Sequence, residues 1–107
     1  MGNDPVSAGK FKTYGTALGL PTMAFLIQPE TYPLWAQIYA SSDEAIFFGT
    51  RIPSMLLGDT ASLRNPHFHC LSGLDTEADL DFDFAVRIAK ATVAVAAETL
   101  GYTAGSP

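Results

Sequence analysis

The order of apolar patterns along the chain predicts an α/β domain: helix, buried strand, short helix, second buried strand, long polar loop, last helix. Three observations carry this expectation. Two apolar runs, residues 22–27 and 52–57, have strand length and lie beside prolines. Three- and four-residue apolar spacing precedes the first run and follows the loop, as amphipathic helices require. The chain has 107 residues, 48% of them apolar and 16% charged, which suits one domain with a buried core better than a disordered segment.

Asp4-Pro5 reads as a helix start, since Asp can cap free N–H groups and Pro fits the first turn. Ala8, Phe11, Tyr14 and Leu18 then form an apolar stripe; Gly15 weakens it and Gly19 is the expected stop. Residues 22–27, between Pro21 and Pro29, make a continuous apolar run expected as a strand covered on both faces. Residues 30–40 hold Tyr32, Pro33, Trp35 and Tyr39 without clean periodicity and read as loop. Ser41 and Glu44 stand at capping-box spacing, so a short helix follows, with Ile46, Phe47 and Phe48 as its apolar cover and Gly49 as its end.

Residues 52–57 are the second expected strand, with Pro53 tolerated near its start. From Gly58 to Asp81 the chain is punctuated by Gly, Pro, Asn and Asp, and a loop of this length in a small domain is commonly functional. Asp81 caps the last helix, residues 82–100, and Gly101 closes it. Asp83, Arg87, Lys90, Ala94 and Glu98 mark its exposed stripe, with Asp83 and Arg87 spaced as an ion pair. The remaining arc, Phe84, Ile88, Val93, Val95, Ala96 and Leu100, is wide enough to pack on a sheet. Residues 1–103 form the domain and 104–107 a disordered tail. Two buried strands cannot cover three helices, so the domain is expected to be incomplete.

The net charge of −5 and six scattered basic residues argue against a nucleic-acid surface and a membrane-surface patch. The last apolar tract is broken by Arg87, Lys90 and Glu98, so no bilayer span is expected. The polar start has no apolar signal region, and the lone Cys70 cannot form an intrachain disulfide.

The chemistry-bearing residues cluster around Arg64-Asn65-Pro66-His67-Phe68-His69-Cys70. On an extended segment His67 and His69 would point to one side, a spacing used by zinc sites; hydrogen-bonded loop imidazoles explain it equally simply. Asp43 and Glu44 could serve as an acid–base pair or as residues orienting a ligand, while the capping box accounts for Glu44 without chemistry. Asp59, just past the second strand, is either a ligand-site residue or a turn residue. The acidic alternation Asp75, Glu77, Asp79, Asp81, Asp83 lacks the calcium-loop pattern and reads as a solvated approach to a helix cap. No phosphate loop, nucleophile elbow or zinc-ribbon cysteine pattern is present.

Taken in order, Ser42-Asp43-Glu44-Ala45-Ile46-Phe47, Ile52-Pro53-Ser54-Met55-Leu56-Leu57, Asp59-Thr60-Ala61, Arg64-Asn65-Pro66-His67-Phe68-His69, Asp75-Thr76 and Leu80-Asp81-Phe82 closely resemble a known series. It is the C-terminal part of the two-zinc aminopeptidases of peptidase family M twenty-eight. Those enzymes carry S-D-H-x-x-F, G-I-P-A-L-x-x-x-D-T-A, R-N-P-H-Y-H-T and D-T-x-x-x-L-D-F in that order. The resemblance covers residues 42–82; over residues 2–41 only Gly2-Asn3 and the order of elements agree.

The resemblance implies a partial three-layer α/β/α zinc-exopeptidase-like unit with two buried strands, a long active-site loop and a C-terminal helix. It implies zinc as cofactor, His69 as a zinc ligand and His67 as its neighbour. Asp43, Glu44, Asp59 and Asp75 would line or support the same substrate pocket. Glu44 stands where the family has His, Arg51 where it has Gly, and Cys70 where it often has Thr. The 69–75 loop is two residues longer than the common form. The family's remaining ligands and its Glu-Glu base lie upstream of these motifs, and this chain has no Glu-Glu pair and only the two histidines. No catalytic set is complete here. The expected function is therefore the C-terminal fragment of a zinc aminopeptidase-like protein, inactive alone. Its partners would be a peptide substrate and the missing N-terminal part of the domain, or another chain. The competing expectation is a non-catalytic peptidase-like module for protein interaction.

Overall fold

Asp4 starts the first helix, α1 (Pro5–Ala17), through its carboxylate. Oδ1 accepts the N–H groups of Val6 at 3.1 Å and Ser7 at 3.0 Å, and Oδ2 accepts the Ser7 hydroxyl at 2.6 Å. These bonds satisfy donors that the first turn leaves without intrahelical partners. The Ser7 hydroxyl chiefly, followed by its backbone N–H, holds the Asp4 carboxyl below its ordinary range. The helix ends as its composition predicts: Gly19 takes the left-handed φ of 71°, and Leu20 N–H reaches back to Gly15 O at 2.8 Å.

The computed structural model describes residues 3–24, 43, 46–47, 50, 52–59 and 61–102. Its other elements are the one-turn helix α2 (Ala61–Arg64), two 3₁₀ turns, Phe68–Cys70 and Glu77–Asp79, and the long helix α3 (Phe82–Thr99). Asp81 caps α3 by accepting Phe84 N–H at 2.9 Å. Gly101, at φ 82°, closes it, with Tyr102 N–H bonded to Ala97 O at 2.8 Å.

Helices α1 and α3 pack antiparallel. Near one end of the crossing, Glu98 accepts the Tyr14 hydroxyl at 2.7 Å and pairs with Lys10 Nζ at 3.3 Å. Toward the other, Arg87 Nη1 reaches Gly19 O at 3.5 Å, where the last carbonyls of α1 favour a cation. Between these ties Phe11, Leu20, Ala91 and Val95 are buried, with Tyr14, Leu18, Met55, Leu57, Phe84 and Ile88 packed around them. Ala91 has no side-chain exposure, and its small size lets the helices approach. Gly15 is buried too, and a Cβ there would meet Thr22 Oγ1 at 2.5 Å. The glycine that weakens the helical pattern is the one that lets the chain fold back over α1.

The α/β expectation is overturned: among the described residues there is no strand and no sheet, so the α/β/α layering is absent. Residues 52–57 run without strand structure except for a bridge residue at Met55, and Ile52 is half exposed. A strand is defined by a ladder of such bridges, and Ser54 is also tied to Asn3. Asn3 N–H donates to Ser54 O at 3.2 Å, and Asn3 Oδ1 accepts Ser54 N–H at 2.7 Å. Pro53 supplies no donor of its own. In the first expected strand, residues 22–24 are not strand and Met23 is 75% exposed, while residues 25–27 lie outside the described residues.

Three further expectations change. Helix α3 packs on a helix instead of a sheet, leaving Val93 and Leu100 of its expected buried arc exposed. Arg87 does not reach the Asp83 carboxylate; its Nε donates to Asp83 O at 3.3 Å, and its guanidinium lies 5.9 Å from the Phe84 ring centre. Of the expected short helix, residues 46–47 are helical, but Ile46 and Phe47 are exposed instead of covering a core. The Ser41–Glu44 capping pair lies outside the described residues.

Candidate functional site

The 58–81 segment holds more local structure than its composition predicts. Asp59 Oδ1 accepts Ala61 N–H at 2.9 Å and so starts α2. Arg64, at the end of that turn, donates to Asp59 O at 2.9 Å and pairs with Asp59 Oδ2 at 3.2 Å. Both carboxylate oxygens of Asp59 are thus used in holding a turn. Asn65 continues the pattern, its Oδ1 accepting His67 N–H at 2.9 Å while its carbonyl accepts Phe68 N–H at 3.1 Å.

His67 is the centre of this loop. Its Nδ1 lies 3.4 Å from Asp79 Oδ2, twelve residues along the chain. A Cβ on Gly73 would stand 3.0 Å from His67 Cδ2, so only glycine lets the loop lie this close to the imidazole. The Ser72 hydroxyl donates to Pro66 O and closes the same loop. Sequence spacing does not reveal Asp79, Ser72 or Gly73 as partners of His67: Asp79 reads as one of five alternating acids, and Ser72-Gly73 as an ordinary turn.

His69 is placed differently. The expected extended segment is a turn in which His69 has φ 55° and ψ 28°, and Cys70 has φ 59°. Two successive non-glycine residues in the left-handed region are sterically costly. The His69 ring is exposed, stands edge-on to Phe68 with centroids 4.3 Å apart, and makes no hydrogen bond among the described residues. Cys70 is an exposed free thiol. The two imidazoles are therefore placed differently: His67 has Asp79 against its Nδ1, and His69 has no hydrogen-bond partner among the described residues.

The other expected pocket residues do not gather around His69. Asp43 is exposed in a turn, and its carbonyl accepts Ile46 N–H at 3.3 Å. Asp75 is exposed, and Glu44 lies outside the described residues. Among the described residues no three His, Cys, Asp or Glu side chains come close enough together to hold a metal ion. Tight zinc sites use three or four protein ligands, so the donors described here do not fit a zinc site by themselves. No helix among the described residues is long and apolar enough to cross a membrane.

Comparison of the chain with protein-family models, with curated proteins and with solved structures found no match.

Proposed function

We propose that this chain is a C-terminal piece of a zinc aminopeptidase-like peptide hydrolase, supplying His69 as one metal ligand and inactive alone. The observation that carries the reading is the unbroken order of motifs from Ser42 to Phe82, ending in Pro66-His67-Phe68-His69 and Leu80-Asp81-Phe82. The exposed His69 imidazole, with no hydrogen-bond partner among the described residues, supports it, because a ligand must keep the lone pair of one ring nitrogen free. Zinc would come to lie at His69 only when further carboxylates and imidazoles, and a general base, are supplied from outside this chain. In that assembly Asp43 and Asp75 would lie around the peptide-binding mouth, while Asp59 holds the turn that carries Arg64.

A second reading, a non-catalytic module that binds another protein, is favoured by one observation. Large apolar side chains remain exposed along α3 and the 71–80 loop, including Leu71 at 82% and Leu74 at 80%. One measurement separates the readings. The coding sequence upstream of Met1 should contain an in-frame stretch with a His-x-Asp and a Glu-Glu pair; its absence favours the binding module. The purified chain should show no turnover of a leucine anilide with zinc present. Clear turnover that disappears in His69→Ala would overturn the claim that the site is incomplete.

A further inference from the structure

Helix α3 carries two apolar stripes, and only one has a partner. Phe84, Ile88, Ala91 and Val95 face α1 and the core. Phe82, Val86, Ala89, Val93, Ala96 and Leu100 follow one another at strictly alternating intervals of four and three residues. At roughly 100° per residue they turn away from the α1 seam, with Ala96 and Leu100 at the rim of a groove shared with Asp4, Ser7 and Pro53. Phe82 is 62% exposed, Val86 50%, Val93 67% and Leu100 82%, and the two alanines are exposed as well. An unbroken four-three repeat is the pattern of a helix–helix seam. Flanking the stripe on one side, seven residues apart, are Asp83 and Lys90, and neither joins an ion pair among the described residues.

We propose that this stripe pairs antiparallel with the same stripe of a second copy of the chain. Charge selects the register. With Phe82 set against Val93 and Val86 against Ala89 of the second copy, Asp83 stands opposite Lys90 and the reverse pair repeats it. Full overlap, with Phe82 against Leu100, would bring the two Lys90 ammonium groups together. Parallel pairing would set Lys90 against Ala85 and leave both charges unmatched. The favoured register overlaps Phe82 to Val93 and leaves Ala96 and Leu100 beyond the contact, so the interface is small and the dimer weak and reversible. This inference does not rest on the peptidase reading.

Sedimentation velocity over about 1 to about 500 micromolar protein tests it, since a weak dimer of this size dissociates on the order of tens of micromolar. The expected result is a monomer that doubles in mass within that range. Asp83→Lys weakens association about tenfold by facing Lys90 with a like charge, and Asp83→Lys/Lys90→Asp restores it to within about threefold. Val93→Glu abolishes the dimer, with helix content checked by circular dichroism. If Val93→Glu unfolds, the charge-swap pair still decides. A monomer at every concentration overturns the proposal and leaves the face to a different partner. Open-ended association overturns it too, as does association equal in the parent, the single reversal and the double swap.

Discussion

Val93 and Val95 lie two residues apart on α3 and are chemically identical, yet the structure gives them opposite surroundings. Val95 is 7% exposed in the α1–α3 seam, and Val93 is 67% exposed on the far side. Val95→Ala removes two methylene equivalents from the core, worth about 1.5 kcal/mol by transfer, and leaves a small cavity that adds about 1 kcal/mol. Ala is the better helix former by about 0.5 kcal/mol, so the net cost is about 2 kcal/mol. For Val93→Ala the lost burial is about a third as large, and the helical gain offsets it to within about 0.5 kcal/mol of zero. Urea and thermal unfolding followed by circular dichroism at 222 nm, at protein concentrations too low for self-association, measure both. The melting temperature of Val95→Ala should fall by roughly 8 to 16 °C while that of Val93→Ala stays close to the parent. Equal costs at the two sites would mean that α3 is covered on both faces, as the sheet-packing expectation holds, and would refute the two-helix seam.

Further outcomes follow from the caps and ties of that seam. Asp4→Ala removes three hydrogen bonds at the start of α1 and should cost about 1 kcal/mol, whereas Asp4→Ser, which can still cap, should cost about half as much in the same unfolding assay. The Tyr14–Glu98 bond requires a protonated phenol and an ionised carboxylate. The Tyr14 hydroxyl chiefly, then Lys10, lowers the Glu98 carboxyl from its ordinary 4.5, so that contribution is present above pH 4.5 and lost as pH falls through the lowered value. Glu98 raises Tyr14 from its ordinary 10.0, so its contribution is present below pH 10 and lost as pH rises through the raised value. The stability gap between parent and Tyr14→Phe should therefore hold between these limits and close on both sides; a gap unchanged across the whole range would contradict the bond. Gly101→Ala forces a Cβ into a left-handed position at the end of α3 and should lower stability by about 1 kcal/mol, with fraying of the last turn visible in amide exchange.

What could be read from the sequence alone divides by how local its cause is. Asp4, Gly19, Asp81 and Gly101 announce both long helices because a cap acts within four residues of itself. Residues 52–57 mislead because apolar length is local and a ladder is not: among the described residues only Met55 of this run is a bridge residue, and Ser54 also bonds Asn3, fifty-one positions away. The arc on α3 misleads for a related reason. Two apolar stripes on one helix look like a single wide face, and which stripe is buried depends on where α1 lies. In the candidate site, His67 and His69 are equivalent by spacing. Their difference comes from Asp79 and Gly73, which claim one ring, and from the left-handed turn that carries the other away. Asp59 reads equally as a ligand-site residue or a turn residue from its place after the 52–57 run, and both its oxygens are found in a turn.

The claim that this chain brings one ligand to a site completed elsewhere is tested most directly by titrating it with zinc while following its two imidazoles by NMR. The ring resonances of His69 should move gradually and without saturating at one equivalent, His67 should stay in place, and His69→Ala should remove the response. A tight one-to-one complex, or zinc binding that survives His69→Ala, would contradict the account.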